Sequence, residues 1–189
     1  FENNNNKQIL SIGSWYRNIY SFYNLNFKLS YRYKKYWFYC VTRFSNLSKI
    51  ILTGKNSSNY FPCYDFLHEL KNNWYIELFK DLSNKIGSVS VLKFLTNEYY
   101  DEIITKNIVF CNLVDASAVN TLIECVARNT PIIINKHPAV VEILGPDYPL
   151  YIEKLKVKNS EIIVPLEIVR KTNLYLSRLD KTNLEIEYF

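Results

Sequence analysis

The stretch "DASAVNTLIECVARNTPIIIN", residues 115–135, contains a helix followed by a buried strand. Five apolar side chains recur at helical spacing and predict a helix over residues 116–128 with one face on a sheet: Val119, Leu122, Ile123, Val126 and Ala127. Asp115 or Ser117 is expected to cap its start. Asn129 is expected to end the helix in the left-handed conformation, and Pro131 prevents its continuation.

Similar apolar runs alternate with helical patterns along the chain. The runs predict strands at residues 8–13, 49–54, 88–94, 107–111, 131–135 and 148–152. Helices are predicted at about residues 64–72, 75–85, 97–105, 116–128, 138–144 and 160–179. Because several runs are apolar throughout, their strands should be covered on both faces. The sequence therefore predicts an α/β fold, a Rossmann-like three-layer domain with a mainly parallel sheet of about six strands.

The composition is typical of one globular domain. Of the 189 residues, 48% are hydrophobic and 22% are charged, which suffices for a single core. The Asn-rich residues 1–6 are expected to be disordered or a linker. Cys111 and Cys125 lie in apolar segments and are predicted to be buried free thiols, as in a reducing compartment. With no apolar run of about 20 residues, the sequence predicts a cytoplasmic protein.

Metal and nucleic-acid sites have little support in the sequence. There are four cysteines and two histidines, with no Cys-x-x-Cys pair and no Asp-x-Asp, so neither a metal nor a cofactor is predicted. The densest basic stretch, residues 28–43, interleaves aromatic residues with cations. A nucleic-acid stacking surface, a peripheral membrane contact and a half-buried segment with snorkelling cations all explain it. The half-buried segment is favoured, because no nucleic-acid-binding motif accompanies the stretch.

The start of helix 116–128 is a candidate ligand site. It follows the predicted strand 107–111, at the edge where open α/β sheets bind ligands. The small residues 116–118 would let a phosphate approach the first-turn amides. Glu124 lies off the apolar stripe and four residues before Arg128. A solvated ion pair of these two residues is the simpler account of Glu124, and a ligand contact is the alternative.

This order of elements, with an acidic residue in the second turn of the helix and "ARNTP" after it, resembles the donor-binding domain of GT-B glycosyltransferases. In the retaining families of that fold, a Glu, seven residues and a second Glu lead into A-x-G-x-P and a strand. Glu124 in "LIECVARNTPIIIN" takes the place of the second Glu, which binds the ribose of the nucleotide sugar. Gly13 and Arg17 in "LSIGSWYRNIYSFYNL" resemble the residues that approach the donor diphosphate.

The resemblance covers most of residues 7–152, is weak between 28 and 75, and is strongest to glycosyltransferase-like proteins of large DNA viruses. It implies metal-independent transfer of a sugar from a nucleotide diphosphate sugar to an acceptor, in the host cytoplasm if the protein is viral. The substrate-binding residues that it implies are Gly13, Arg17, Ser117, Asn120, Thr121 and Glu124. No catalytic residue is assigned, because the acceptor and often a catalytic side chain belong to an N-terminal domain.

The chain is therefore expected to be a C-terminal half, with residues 7–180 as the nucleotide-sugar-binding domain. The last helix and the tail 181–189 are expected to pack on the missing N-terminal domain. Ala116 stands where the family has its first Glu, which contacts the donor sugar, so that contact is expected to be altered or lost.

Two alternatives stay open, a non-catalytic α/β module that binds a nucleotide or a protein, and a nucleotide-sugar 2-epimerase of the same fold. A Rossmann dehydrogenase is disfavoured, because no Gly-x-Gly-x-x-Gly follows the first strand.

Overall fold

The computed structural model describes residues 8–13, 21–22, 26–28, 34–38, 89–92, 95–113, 119–158 and 161–182. The predicted strand 49–54, the predicted helices 64–72 and 75–85, and the predicted linker 1–6 lie outside these ranges.

From β4 to α3, as numbered below, the described part of the chain alternates strands with helices. In chain order the elements are β1 Gln8–Ile12, β2 Asn26–Lys28, β3 Lys34–Phe38, β4 Val89–Leu92, α1 Asn97–Lys106, β5 Ile108–Cys111, α2 Asn120–Ala127, β6 Ile132–Ile134, α3 Pro138–Leu144, β7 Lys156–Lys158, β8 Glu161–Ile163 and α4 Leu166–Arg178. A short 3-10 helix, Ile152–Lys154, lies between α3 and β7.

Five of the described strands form a wholly parallel sheet in the order β4-β3-β1-β5-β6. Counted along the chain, this order is 3-2-1-4-5, which is the order of the Rossmann fold, and it reverses between β1 and β5. All four residues of β5 and all three of β6 are buried. Because successive residues of a strand point to opposite faces, the sheet is covered on both sides there. The predicted α/β class with a parallel sheet is confirmed.

Strand β3, which lies between β4 and β1 in this sheet, was not predicted, because it belongs to the basic stretch 28–43. Lys35 belongs to β3 and is only 5% exposed. Its ammonium group donates to the carbonyl of Phe22 at 3.0 Å and lies 5.8 Å from the centre of the Phe22 ring. Tyr36 packs against the core. Where the structure describes residues 28–43, at 28 and 34–38, they belong to strands, and the side chains of Lys35 and Tyr36 are turned into the domain.

A second sheet has the order β2-β8-β7, with β2 parallel and β7 antiparallel to β8. The sequence prediction of a helix from residue 160 is wrong at its start, since residues 161–163 form β8. Helix α4 begins at Leu166, directly after Pro165 at its N-cap. The fixed φ of proline suits a helix start.

Helix α2 starts later than predicted. Its N-cap is Val119, which makes no side-chain capping bond, and the predicted caps Asp115 and Ser117 lie outside the described ranges. The buried residues of α2 are Thr121, Leu122, Cys125 and Val126. The predicted stripe is therefore wrong on one side: Ile123 is half-buried and Ala127 is exposed. The apolar pattern missed the short polar or thiol side chains of Thr121 and Cys125, which are also buried.

The predicted end of α2 is confirmed. Asn129 has a φ of 54°, in the left-handed region. Its N–H donates to the carbonyl of Val126 at 3.2 Å, and the N–H of Thr130 donates to the carbonyl of Cys125 at 2.8 Å. These two bonds form a Schellman motif, which satisfies helix carbonyls that would otherwise lack donors.

Helix α4 and the residue Lys181 pack on the ends of α2 and α3. Asn173 Nδ2 donates to the carbonyl of Asn129 at 2.8 Å, and Lys181 Nζ donates to Asn129 Oδ1 at 2.7 Å. The Tyr175 hydroxyl donates to the carbonyl of Leu144 at 2.6 Å. The last helix thus contacts this domain itself, and residues 183–189 of the predicted tail lie outside the described ranges.

The prediction of a strand at residues 148–152 is wrong, because this segment pairs with β6 through only one isolated β-bridge and the side chain of Tyr148. Ile134 forms one parallel bridge with Tyr151. At Ile132, two residues before Ile134 in β6, a side chain takes the place of a strand. The hydroxyl of buried Tyr148 donates to the carbonyl of Ile132 at 2.8 Å and accepts from its N–H at 3.0 Å. The phenol thus does what a neighbouring strand would do for the edge of β6. Burial raises the pKa of Tyr148, which keeps this donor neutral.

Replacing Tyr148 with Phe should destabilise the domain, because both backbone groups of buried Ile132 lose their partner. Each buried group left unsatisfied costs about 1–3 kcal/mol. The matched control is Tyr175→Phe, at a half-buried site where water can replace the hydroxyl, with an expected cost of about 1 kcal/mol or less. The free energies of unfolding come from urea titration. Equal losses in the two variants would contradict the bridging role of Tyr148.

At Asn129 the usual order of alanine and glycine should be reversed. Both variants lose the bond from Lys181, but only alanine is strained at a φ of 54°. The Asn129→Gly variant should therefore be more stable than Asn129→Ala by about 1–2 kcal/mol. At the exposed helical position Ala127, glycine should instead destabilise by about 1 kcal/mol. Thermal unfolding of the three variants measures both differences, and an Asn129→Ala variant as stable as the glycine variant would refute the backbone explanation.

Candidate ligand site at the carboxyl edge of the sheet

The parallel strands bring three residues into one row just past their carboxyl ends. Extending the registers of β1 with β5 and of β5 with β6 by one step beyond the ends of the strands puts Gly13, Asn112 and Asn135 side by side. Gly13 has a φ of 75°, which glycine adopts without strain. The row lies where the strand order reverses, and ligands of open α/β sheets bind at this position.

Two asparagines organise this edge. Asn135 Nδ2 donates to the carbonyl of Leu113 at 2.9 Å, and Asn135 Oδ1 accepts from the N–H of Leu113 at 2.7 Å. The carboxamide therefore ties the chain after β6 to the chain after β5. Asn112 Nδ2 donates to Ser21 Oγ at 3.1 Å. Asn112 Oδ1 has no hydrogen-bond donor within the part of the chain that the structure describes, so it can accept from a ligand.

Glu124 of α2 also lies near this edge. Strand β4 ends at the edge, and α1 starts there five residues after Leu92. Tyr100, in the first turn of α1, donates its hydroxyl proton to Glu124 Oε2 at 2.5 Å. Glu124 is half-buried, and its side chain leans towards the start of its own helix, as helical side chains do. Glu124 thus lies in the middle of α2, beside the half of α1 that is nearer the carboxyl end of the sheet.

The simple ion pair of Glu124 with Arg128 is not formed. The guanidinium of Arg128 makes a salt bridge with Asp101 of α1 and donates to the main-chain carbonyl of Glu124 at 3.2 Å. Among the residues that the structure describes, no cation forms a salt bridge with the Glu124 carboxylate, and Oε1 has no hydrogen-bond partner. A half-buried carboxylate of this kind favours ligand groups that donate protons, such as hydroxyls.

Tyr100 is a neutral donor in this pair. Burial raises its pKa above the usual value, and the hydrogen bond to Glu124 raises it further. Both effects disfavour the phenolate, since it would be desolvated beside a carboxylate. Tyr100 therefore stays a neutral phenol through the physiological pH range.

Of the remaining predicted site residues, the structure describes the neighbours Asn120 and Thr121. Asn120 is exposed at the first position of α2, and Thr121 beside it is only 5% exposed. Arg17 and Ser117 lie outside the described ranges, as does Ala116. The structure thus brings Gly13 to the edge and Glu124 close to it, and it turns Thr121 into the domain.

The sequence analysis did not predict three residues of this site: Tyr100, Asn112 and Asn135. Asn112 and Asn135 had a readable signal, because each directly follows a buried strand of a parallel sheet. Tyr100 had none, since its partner is 24 residues away on another helix.

Within the described ranges, no three His, Cys, Asp or Glu side chains are grouped so that they could hold a metal ion. None of the described helices combines the length and apolar character needed to cross a membrane. Cys111 and Cys125 are buried free thiols, as predicted, and Cys40 and Cys63 lie outside the described residues. The sequence matches no protein-family model and no curated protein.

Changing Asn135 to Asp should loosen the carboxyl edge, because a carboxylate cannot donate to the carbonyl of buried Leu113. The expected loss is about 1–3 kcal/mol in the free energy of unfolding. The control Asn97→Asp makes the same chemical change at the exposed start of α1, where a negative charge should be neutral or slightly stabilising. Urea denaturation of both variants decides, and an Asn135→Asp variant as stable as the wild type would show that the tie to Leu113 contributes little.

Proposed function

We propose that this chain is the donor-binding domain of a GT-B glycosyltransferase and that it binds a nucleotide diphosphate sugar at the carboxyl edge. The half-buried carboxylate of Glu124 supports this proposal: it has no cationic partner among the described residues, and it accepts from Tyr100 of α1, a helix that starts at the ligand-binding end of the sheet. It occupies the sequence position that resembles the ribose-binding Glu of the retaining families.

The chemistry of the edge suits the parts of such a donor. The ribose hydroxyls would donate to Glu124 Oε1 in charge-assisted hydrogen bonds. Gly13 has no side chain and would let the diphosphate approach the end of β1. Asn112 Oδ1 would accept from a hydroxyl or an amide group of the ligand. Arg17, four residues after Gly13 in the sequence, is the proposed cationic contact of the diphosphate.

In the proposed reaction, a sugar passes from the diphosphate to an acceptor hydroxyl. Negative charge grows on the leaving diphosphate, and the positive end of the α2 dipole and Arg17 would stabilise it. The acceptor and any catalytic side chain would come from a second domain, in the cytoplasm where such donors are made. The isolated chain should then bind the donor without turning it over.

One observation favours a second candidate, a non-catalytic nucleotide- or protein-binding module derived from such an enzyme. Ala116 stands where the family has the Glu that contacts the sugar. If that contact is lost, the nucleotide should bind as well as the nucleotide sugar. Comparing the affinity for a nucleoside diphosphate with that for its sugar conjugate separates the two candidates.

The test is a thermal-shift panel of UDP-, GDP-, ADP- and TDP-sugars, followed by calorimetry with the best ligand. At a hundredfold excess over Kd, one-site binding should add about 2.7 kcal/mol of stability and raise Tm by a few degrees. Glu124→Gln should weaken binding about tenfold to a hundredfold, because a charge-assisted bond of about 1.5–3 kcal/mol is lost.

Glu142→Gln is the matched control, since Glu142 is exposed on α3 and its loss should leave Kd unchanged. A wild type that melts cooperatively and shifts with no member of the panel would refute donor binding by this domain. Binding that survives Glu124→Gln unchanged would refute the assigned role of Glu124.

A further inference from the structure

The hydrogen bond between Tyr100 and Glu124 joins two helices rather than two turns of one helix. The residues are 24 positions apart, and the hydroxyl lies 2.5 Å from Oε2. A second pair, Arg128 with Asp101, links the same helices, with Arg128 one turn after Glu124 and Asp101 directly after Tyr100. Helix α1 is therefore fixed against α2 at two points, and the position of the Tyr100 hydroxyl relative to Glu124 is set by both.

This arrangement orients the carboxylate of Glu124. Arg128, four residues after Glu124, would be its natural partner on the same helix. The Arg128 guanidinium instead contacts the Asp101 carboxylate and the main-chain carbonyl of Glu124, and it forms no salt bridge with the Glu124 carboxylate. The phenol bonds one carboxylate oxygen without neutralising the charge. The hydrogen bond thereby holds the glutamate side chain through Oε2 while Oε1 keeps its accepting capacity.

We propose that Tyr100 is a positioning residue that holds Glu124 for a hydroxyl of the ligand and so makes the site select ribonucleotides over nucleotides that lack ribose hydroxyls. This inference rests on the proposed function, and it names the residue and the ligand group that set its specificity. Tyr100 does not touch the ligand in this scheme, and its effect is transmitted through Glu124.

The experiment measures Kd by calorimetry for UDP, GDP and ADP, and then for the 2′,3′-dideoxy form of the one that binds most tightly. The proteins are the wild type, Tyr100→Phe, Glu124→Gln, the double variant and the control Tyr99→Phe. Tyr99 is adjacent in sequence and 48% exposed, so its hydroxyl should not matter. Each protein is first shown to melt cooperatively.

Tyr100→Phe should weaken ribonucleotide binding about fivefold to tenfold, the equivalent of one hydrogen bond of about 1 kcal/mol. It should leave the affinity for the dideoxy ligand unchanged, since that ligand has no hydroxyl for Glu124 to accept. The double variant should bind no more weakly than Glu124→Gln alone, because the two residues act as one unit. Glu124→Asp, which keeps the charge but shortens the side chain away from Tyr100, should show a similar loss for the ribonucleotide and none for the dideoxy ligand.

The failures are distinguishable. Wild-type affinity in Tyr100→Phe, together with weak binding in Glu124→Gln, would overturn the role of Tyr100 and leave the proposed function standing. Equal losses for the ribo and dideoxy ligands in Tyr100→Phe would overturn it too, since Tyr100 would then act through the fold. A wild type that binds none of the three nucleotides would overturn both proposals.

Discussion

The parallel pairing of β1 with β5 is the constraint on which the rest of this structure depends. Close to a hundred residues separate the two strands in the sequence, and their register brings the ends of both to one edge. It also places the reversal of strand order there, so Gly13 and Asn112 become neighbours. Closing so long a loop carries an entropic cost that burial of β5 on both faces offsets. Without this pairing neither the edge nor the helix interface above it would form.

The interface of α1 and α2 is the second level of this arrangement. α1 connects the outer strand β4 to β5, so it must cross the sheet before α2 begins. The crossing lays Tyr100 against Glu124 and Asp101 against Arg128. Thr130 adds a buried link, since its hydroxyl donates to the carbonyl of Ile104 at 3.2 Å. The hydrogen bonding of the Glu124 side chain is therefore set by residues of α1 rather than by residues of α2.

The sequence sufficed for features that local patterns control. The α/β class, the left-handed Asn129 and the buried thiols follow from periodicity, turn chemistry and composition. It failed where contacts distant in sequence override the local pattern. β3 was missed because Lys35 is charged, yet a main-chain carbonyl takes its ammonium group into the domain. The pairing of Glu124 with Arg128 seemed natural at a spacing of four residues, but Asp101 on another helix competes for the guanidinium. Tyr100 could be found only once the topology placed α1 beside α2.

The phenol of Tyr148 has a consequence for how the molecule behaves among its copies. A strand at the border of a sheet offers free N–H and C=O groups on which another chain can add a strand, the first step of ordered aggregation. At Ile132 both groups are already bound by the same hydroxyl, and at Ile134 the bridge to Tyr151 closes the next position. Tyr148 and the bridge at Tyr151 together thus oppose intermolecular strand addition at this border, in a stretch of three consecutive isoleucines that would otherwise be well suited to it.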